Sequence, residues 1–336
     1  MEDKNKVFLY IFIIVFFVFV GFITSNRKRV LVIHSYHPEF AWTGEITDEI
    51  NRVLPSSDID VSYHYMDTKR NPDQRFKEKA GEETRRIIAT YDPDIIITVD
   101  DNAQEYVGKY YVGQKRPLVV FCGVNAELEE YGYVGAQNVA GILERTPIDS
   151  IVEVMKHCFP DARRFIHISD SSITSQHIHE EYHHKDWSPF VCYKALMIDD
   201  FEEWKKEVID AQDKVDFLLY THYHTIKRAP GSDEIVPPKE IIQWSIQNSG
   251  IPEIGNWGFF VSDGGMMSIA VSPREQADVA CDYTRRLLKG EDIKELPVVS
   301  TQKYSVYINS TRLKKVGIKL PMVYTLLAET AGHIVE

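Results

Sequence analysis

Apolar runs that turn polar at their carboxyl ends recur along the chain. The clearest is PDIIITVDDN (Pro93 to Asn102), where an Ile/Val/Thr run is followed at once by Asp100, Asp101 and Asn102. An unbroken β-branched run reads as a strand buried on both faces, which implies a parallel sheet covered by helices. The same design appears in VLVIHSYH (Val30 to His37), PLVVFCGVN (Pro117 to Asn125), RFIHISDSS (Arg164 to Ser172) and VDFLLYTHYH (Val215 to His224). In parallel α/β sheets ligands bind in the crevice outside the carboxyl ends of the strands. The polar residues stand where that crevice should be.

Between the runs the period changes from 2 to 3.6. In the first half the pattern predicts a helix over 43–54 capped by Thr43, an alternating strand over 59–67 and a helix over 72–91 opened by Pro72. A strand over 94–99, a short helix through 105–111 and a strand over 118–124 follow. This is βαβαβαβ, a doubly wound half. The second half repeats the layout: helix 147–158, strand 164–169, helix 175–184, strand 191–197, helix 201–211, strand 215–220 and helix 239–248. The segment 253–261 is the candidate for its last core strand. A helix over 273–289, stopped by Gly290, precedes a tail with a short strand (305–308) and one or two helices.

The 336 residues suffice for two domains of ordinary size. A net charge of −12 argues against nucleic acid or an anionic membrane surface as partner. The cysteines Cys122, Cys158, Cys192 and Cys281 form no CxxC pair and read as buried thiols; a Cys158–Cys192 bridge would need an oxidising compartment. Val7 to Ile23 is apolar and just long enough to cross a hydrocarbon core. It reads as an uncleaved anchor in preference to a cleaved signal, because Gly21-Phe22-Ile23 is a poor cleavage site. Arg27, Lys28 and Arg29 after the run oppose export by the positive-inside rule, but large domains translocate largely regardless of flanking charge.

Candidate chemistry lies at the strand ends. Ser35 and Tyr36 offer hydroxyls, and Trp42 can wall a cleft. Asp100, Asp101 and Asn102 can receive an ammonium or hydroxyl, or cap the following helix. Asn125, Ser171, Ser172 and Thr174 occupy corresponding ends, and the Ser/Thr run at a helix start can bind a carboxylate. Thr221, Tyr223 and Asp263 complete the set. In QHIHEEYHH, His179 and His183 have metal-ligand spacing but lack a third ligand nearby in sequence, and a solvated helix face is the favoured reading. No GxSxG, HExxH, P-loop or GxGxxG-after-strand motif occurs, so catalysis is not expected and no cofactor is implied.

Four stretches together resemble one family: VLVIHSYHPEFAWTGEI; PLVVFCGVNAE with NVAGILERTPIDSIVEVMKHCFPDARRFIHISDSSITS; SPREQADVACDYTRRLLKGEDIKELPV; and YINSTRLKKVGIKLP. Over residues 29–336 the chain resembles ABC-transporter substrate-binding proteins of the tryptophan- and tyrosine-binding kind, most closely the version used as a sensor module. The resemblance implies two doubly wound α/β lobes of the type I periplasmic-binding fold, hinged by crossing segments, with a small polar or amino-acid-like ligand in the cleft. Mapped here, residues 1–28 are an anchor or signal segment, 29–143 with 273–297 form lobe one, and 144–272 with 298–336 form lobe two. The implied partners are an ABC permease or a membrane signalling protein outside the cytoplasm. No lipid-accepting cysteine follows the apolar run in these residues, and no kinase or cyclase domain is expected. The competing reading is a hydrolase or metal-dependent enzyme using the histidine-rich segments.

Overall fold

The computed structural model describes residues 27–336 together with residues 12, 13 and 15. The expected anchor at Val7 to Ile23 therefore lies almost wholly outside the described residues. Among those residues, no helix is long and apolar enough to cross a membrane.

Two sheets organise the molecule. The first contains β1 (Lys28–His34), β2 (Ile59–Tyr65), β3 (Ile95–Val99), β4 (Leu118–Val124), β5 (Val139–Leu143) and β11 (Val299–Ser300). Their order is β11-β5-β4-β3-β1-β2, and every neighbouring pair is parallel. The second contains β6 (Arg164–Asp170), β7 (Val191–Ile198), β8 (Phe217–Tyr220), β9 (Glu253–Gly255), β10 (Met267–Val271), β12 (Tyr304–Asn309) and β13 (Ile334–Val335). Its order is β13-β12-β10-β9-β8-β6-β7, parallel except where β12 meets β10. The fold is α/β with two doubly wound sheets.

Each sheet is covered because its central strands are apolar on both faces. All five residues of β3 are buried. The helix α1 (Ala41–Val53) buries Trp42, Thr43, Ile46 and Ile50 on one stripe. The helix α2 (Gln74–Tyr91) starts at Asp73, whose carboxylate accepts from the amides of Arg75 and Phe76, so Pro72 precedes the helix instead of opening it. The short α3 (Asp101–Tyr106) follows β3 directly. The second sheet carries α4 (Ile148–Cys158), α5 (Ile173–His183), α6 (Phe201–Ala211), α7 (Pro238–Asn248) and α8 (Gly258–Ser262). After β10, α9 (Pro273–Leu288) returns to pack on α1, β4 and β5. The tail adds α10 (Ser310–Val316) and α11 (Met322–Ala331).

Several elements differ from expectation. Helix α1 has Phe40 at its N-cap and no side-chain cap bond, and Thr43, the expected cap, is buried inside the helix. Strand β5 was not foreseen; it is short, and Gly141 interrupts its β-branched pattern. The expected strand 253–261 divides into β9 and α8, since Gly258 to Ser262 coil against the sheet, and the last core strand is β10. The backbone of Val299 and Ser300 pairs with Ile142 and Leu143, so the first sheet extends past residue 297, where lobe one was expected to end. The four cysteines are free thiols, in line with the favoured reading, with Cys122 and Cys281 buried and Cys158 and Cys192 half-buried.

The chain passes between sheets after β5, between β10 and α9, and between β11 and β12. Thr301 joins these crossings. Its hydroxyl donates to the Leu143 carbonyl (3.1 Å) and accepts from the Arg145 amide (3.2 Å) and the Gln276 side chain (3.0 Å). Gln276 in turn accepts from the Gly123 amide (2.8 Å).

Candidate functional site

Strand order locates the crevice. In the first sheet the order reverses between β1 and β3; in the second, between β6 and β8. A crevice opens at such a switch point, outside the carboxyl ends. The ends there are Ser35–Tyr36 and Asp100–Asn102 in one sheet, Asp170–Ser172 and Thr221–His224 in the other. They face each other. The Tyr36 hydroxyl lies 3.1 Å from Thr174 Oγ1. The Phe40 ring packs edge-on to His224 (centroids 4.9 Å) and against Phe259 (5.6 Å). At the rim, His177 Nδ1 is 3.4 Å from a Glu130 carboxylate oxygen.

Lys69 sits in this seam. It lies just past β2, whose chain continues along β1 as the Met66 and Thr68 amides donate to His34 and Ser35 carbonyls (both 2.9 Å). The residue is 3% exposed. Its ammonium is 4.7 Å from the Tyr36 ring centroid and 5.8 Å from that of Phe40. Burial lowers its pKa, and the charges of Asp170, Asp100 and Glu144 oppose that shift. Burial and the Lys69 charge push His222 well below its ordinary value and His224 down to about 3, so both imidazoles are neutral near pH 7.

The acids around Lys69 are held differently. Burial opposes ionisation of Asp170, but the Lys69 charge and the hydroxyls of Ser175 and Ser172 outweigh it and keep its carboxyl below the usual range. Burial and the neighbouring Glu144 raise Asp100 well above its ordinary value. Burial, helped by Asp101, raises Glu144 to about 8 against the hydrogen bond from Trp257. Asp100 also has φ 66° and ψ 167°, a region that costs an L-residue about 1–3 kcal/mol. The Trp42 indole holds it there by donating to Asp100 Oδ1 (2.8 Å).

The sequence-predicted residues fall into three groups. Tyr36, Trp42, Asp100, Asn102, Asn125 and Thr174 line the seam. Of these, Asp100 Oδ2, Asn102 Oδ1 and Asn125 Oδ1 are buried without a protein hydrogen-bond partner among the described residues. A second group shapes the seam from behind. The Ser35 hydroxyl donates to the Val99 carbonyl (2.7 Å) and accepts from the Ala103 amide (2.8 Å), so Ser35 rather than an acid of 100–102 caps α3. Asp101 is spent on the amides of Asn125 (3.1 Å) and Ala126 (3.0 Å) and on the Tyr131 hydroxyl (3.1 Å). Thr221 bonds His167 (2.9 Å), and Tyr223 donates to Asp263 (2.8 Å), whose carboxyl burial raises to about 6. In the third group, Ser171 bonds Asp199 at the seam's outer mouth, and Ser172 donates to Asp170 (2.7 Å). The anion expected at the start of α5 is thus supplied by the chain's own Asp170, which also accepts from the Ser172 amide (3.2 Å) and the Ser175 hydroxyl (2.5 Å). That mouth is a groove of about 700 Å³ lined from both sheets, with Arg70 and Lys77 on one side and Gln176 and Lys227 on the other.

Sequence reasoning missed Lys69, Asp170, Glu144 and the aromatic wall of Phe40, Trp257 and Phe259. The signal nearest to Lys69 is that β2 also turns polar at its carboxyl end, in MDTKR. Glu144 ends β5, the unforeseen strand. The histidine helix does not assemble a metal centre. His179 packs beside His167, His183 and His184 are exposed, and no metal-competent group of three or more His, Cys, Asp or Glu occurs among the described residues.

The fold matches solved structures at low identity. The ABC domain from Streptococcus pneumonia in complex with L-Trp aligns with a TM-score of 0.67 at 16% identity, covering 92% of this chain and 100% of that one. A conserved domain protein from Vibrio cholerae gives 0.65 at 14%, covering 89% and 98%. The ligand-free, open form of a substrate binding protein with adhesive properties from Clostridium difficile gives 0.58 at 15%, covering 88% and 96%. No curated protein matches the sequence. The family model for ABC transporter substrate binding proteins matches residues 57–332, most of the chain, and the protein belongs to that family.

Proposed function

We propose that this substrate-binding protein works outside the cytoplasm and captures a small polar, amino-acid-like solute between its two sheets, closing on it by a hinge. In this reading residues 29–143 with 273–300 move as one body and 144–272 with 301–336 as the other. Residues 1–28 tether the protein to the membrane. The cleft is formed by Tyr36, Trp42, Asp100, Asn102, Asn125 and Thr174, supported by Ser35, Asp101, Ser171, Ser172, Thr221, Tyr223 and Asp263. The loaded, closed form is then read by an ABC permease or by a membrane signalling protein.

One observation carries the reading. Among the described residues, the buried Asp100 Oδ2 and Asn102 Oδ1 at the switch point of a doubly wound sheet, and Asn125 Oδ1 at the end of the adjacent β4, lack protein partners. Each buried polar atom of this kind costs about 1–3 kcal/mol unless a hydrogen bond satisfies it. A solute seated there recovers that energy only when both sheets close around it, which is what drives a hinge. The L-Trp carried by the Streptococcus relative supports a ligand of amino-acid size.

A thermal-shift screen of the full chain against amino acids, nucleobases and small carboxylates tests the proposal. A ligand at about 100 times its dissociation constant adds about 2.7 kcal/mol of stability. Saturable stabilisation by a compound recovered unchanged is the expected result. Conversion of the compound to product would overturn it in favour of an enzyme.

A further inference from the structure

We infer that the Lys69 ammonium anchors a carboxylate of the cleft ligand, so that the protein selects small carboxylate-bearing solutes over neutral ones. This rests on the cleft reading above and specifies the chemistry of its ligand.

An ammonium has three N–H donors and no acceptor. At Lys69 none of the three has a protein hydrogen-bond partner among the described residues, although the side chain is 3% exposed. The ring faces of Tyr36 and Phe40 attract the charge without satisfying the donors. A lysine with a purely structural role would be bonded to a neighbouring carboxylate; Asp100 keeps one oxygen free but does not bond Lys69, and the others are committed elsewhere. Asp170 Oδ1 accepts from Ser172 and Ser175, and its Oδ2 accepts from the Thr225 amide (3.1 Å). Glu144 Oε1 accepts from the Trp257 indole (2.9 Å), and its Oε2 from the Asn125 side chain (3.2 Å). Asp101 holds the Asn125–Ala126 turn.

The remaining groups define the other end of the ligand. The Thr68 hydroxyl donates to the Ser35 carbonyl (2.7 Å), so it must accept from Asn102 Nδ2 (3.1 Å), which fixes Asn102 Oδ1 as the free atom. Asn125 Nδ2 faces Glu144, which leaves its Oδ1 free. With Asp100 Oδ2 these make a set of acceptors beside one cation. A molecule that satisfies both carries an anionic group for Lys69 and a donor-rich end for the oxygens, as an amino acid or a hydroxy acid does. A neutral sugar or polyol offers the ammonium only uncharged acceptors, which bind it more weakly than a carboxylate does.

Calorimetry on the full chain near pH 7 tests this with four sets of probes: L-amino acids and short hydroxy acids, their carboxamides, the corresponding decarboxylated amines, and neutral monosaccharides. The acids are expected to bind, with each matched carboxamide weaker by about thirtyfold or more, the loss typical of removing one partner of a buried charge pair. Lys69→Gln should abolish that discrimination, and Lys69→Arg should retain part of it. The acid-to-amide comparison on the unsubstituted protein stands even if a variant fails to fold. Amides, amines or sugars binding as tightly as acids, or a folded Lys69→Gln that still prefers acids, would overturn the anchor and leave the cleft in place. Binding by no probe of any set would instead overturn the cleft reading.

Discussion

The hydroxyls of Tyr36 and Thr174 meet at 3.1 Å across the seam, one from the carboxyl end of β1 and the other from the first turn of α5. In the proposed hinge closure, this contact belongs to the closed state. Tyr36→Phe and Thr174→Val should each weaken ligand binding by about 1 kcal/mol, roughly fivefold. The double variant should be little worse than either single one, because both remove the same bond. Fully additive losses in a calorimetric double-mutant cycle would show that the two hydroxyls act separately.

Closure itself has a scattering signature. In the proposed closure the two bodies rotate about the three crossings, which Thr301 and Gln276 join. The radius of gyration should fall when a saturating ligand is added to an open population. Thr301→Val, which removes the shared hydroxyl, should raise the dissociation constant without altering any seam residue. An unchanged affinity in that variant would remove Thr301 from the hinge.

Glu144 makes stability depend on pH in a defined direction. Its folded pKa, about 8, lies above the usual glutamate value of 4.5, so the folded state binds the proton more tightly than the unfolded one. The contribution is complete below pH 4.5 and is lost as pH rises through about 8. Denaturant unfolding from pH 6 to 9 should therefore show a decline that Glu144→Gln flattens. An equal slope in wild type and variant would assign the decline to other groups.

Gly123 supports the site sterically. Its φ is 69°, and a Cβ there would stand 2.8 Å from Asp100 Oδ1. Gly123→Ala pays both for the left-handed backbone, about 1–2 kcal/mol, and for displacing Asp100. A lower Tm together with weaker binding is expected. Normal binding in this variant would mean that Asp100 can shift without consequence.

The apolar runs made most of the architecture legible, because a five-residue β-branched stretch such as Ile95–Val99 has few alternatives to a buried parallel strand. Strand β5 and the split of 253–261 escaped notice for the opposite reason: glycines at 141, 255 and 258 dilute the period, and tertiary packing decides the conformation. At the site, position along a strand identified the right neighbourhood but not the direction of each side chain. Asp100 and Asp101 are adjacent, yet one oxygen of Asp100 remains free in the seam while Asp101 turns away to hold the Asn125 loop. Lys69 could not be recognised as buried until β2 was placed beside β1, which brings Thr68 and Lys69 over Ser35 and Tyr36.

The most direct test is titration calorimetry with the first stabilising compound from the screen, comparing the unsubstituted full chain with Asp100→Asn, Asn102→Ala and His183→Ala. The first two variants remove or alter buried seam oxygens and should lose about tenfold to a hundredfold in affinity, the equivalent of about 1–3 kcal/mol. His183 is exposed on α5, and its variant should bind like the unsubstituted protein. Full affinity in both seam variants, with loss in His183→Ala, would contradict the cleft and place the site on the histidine helix.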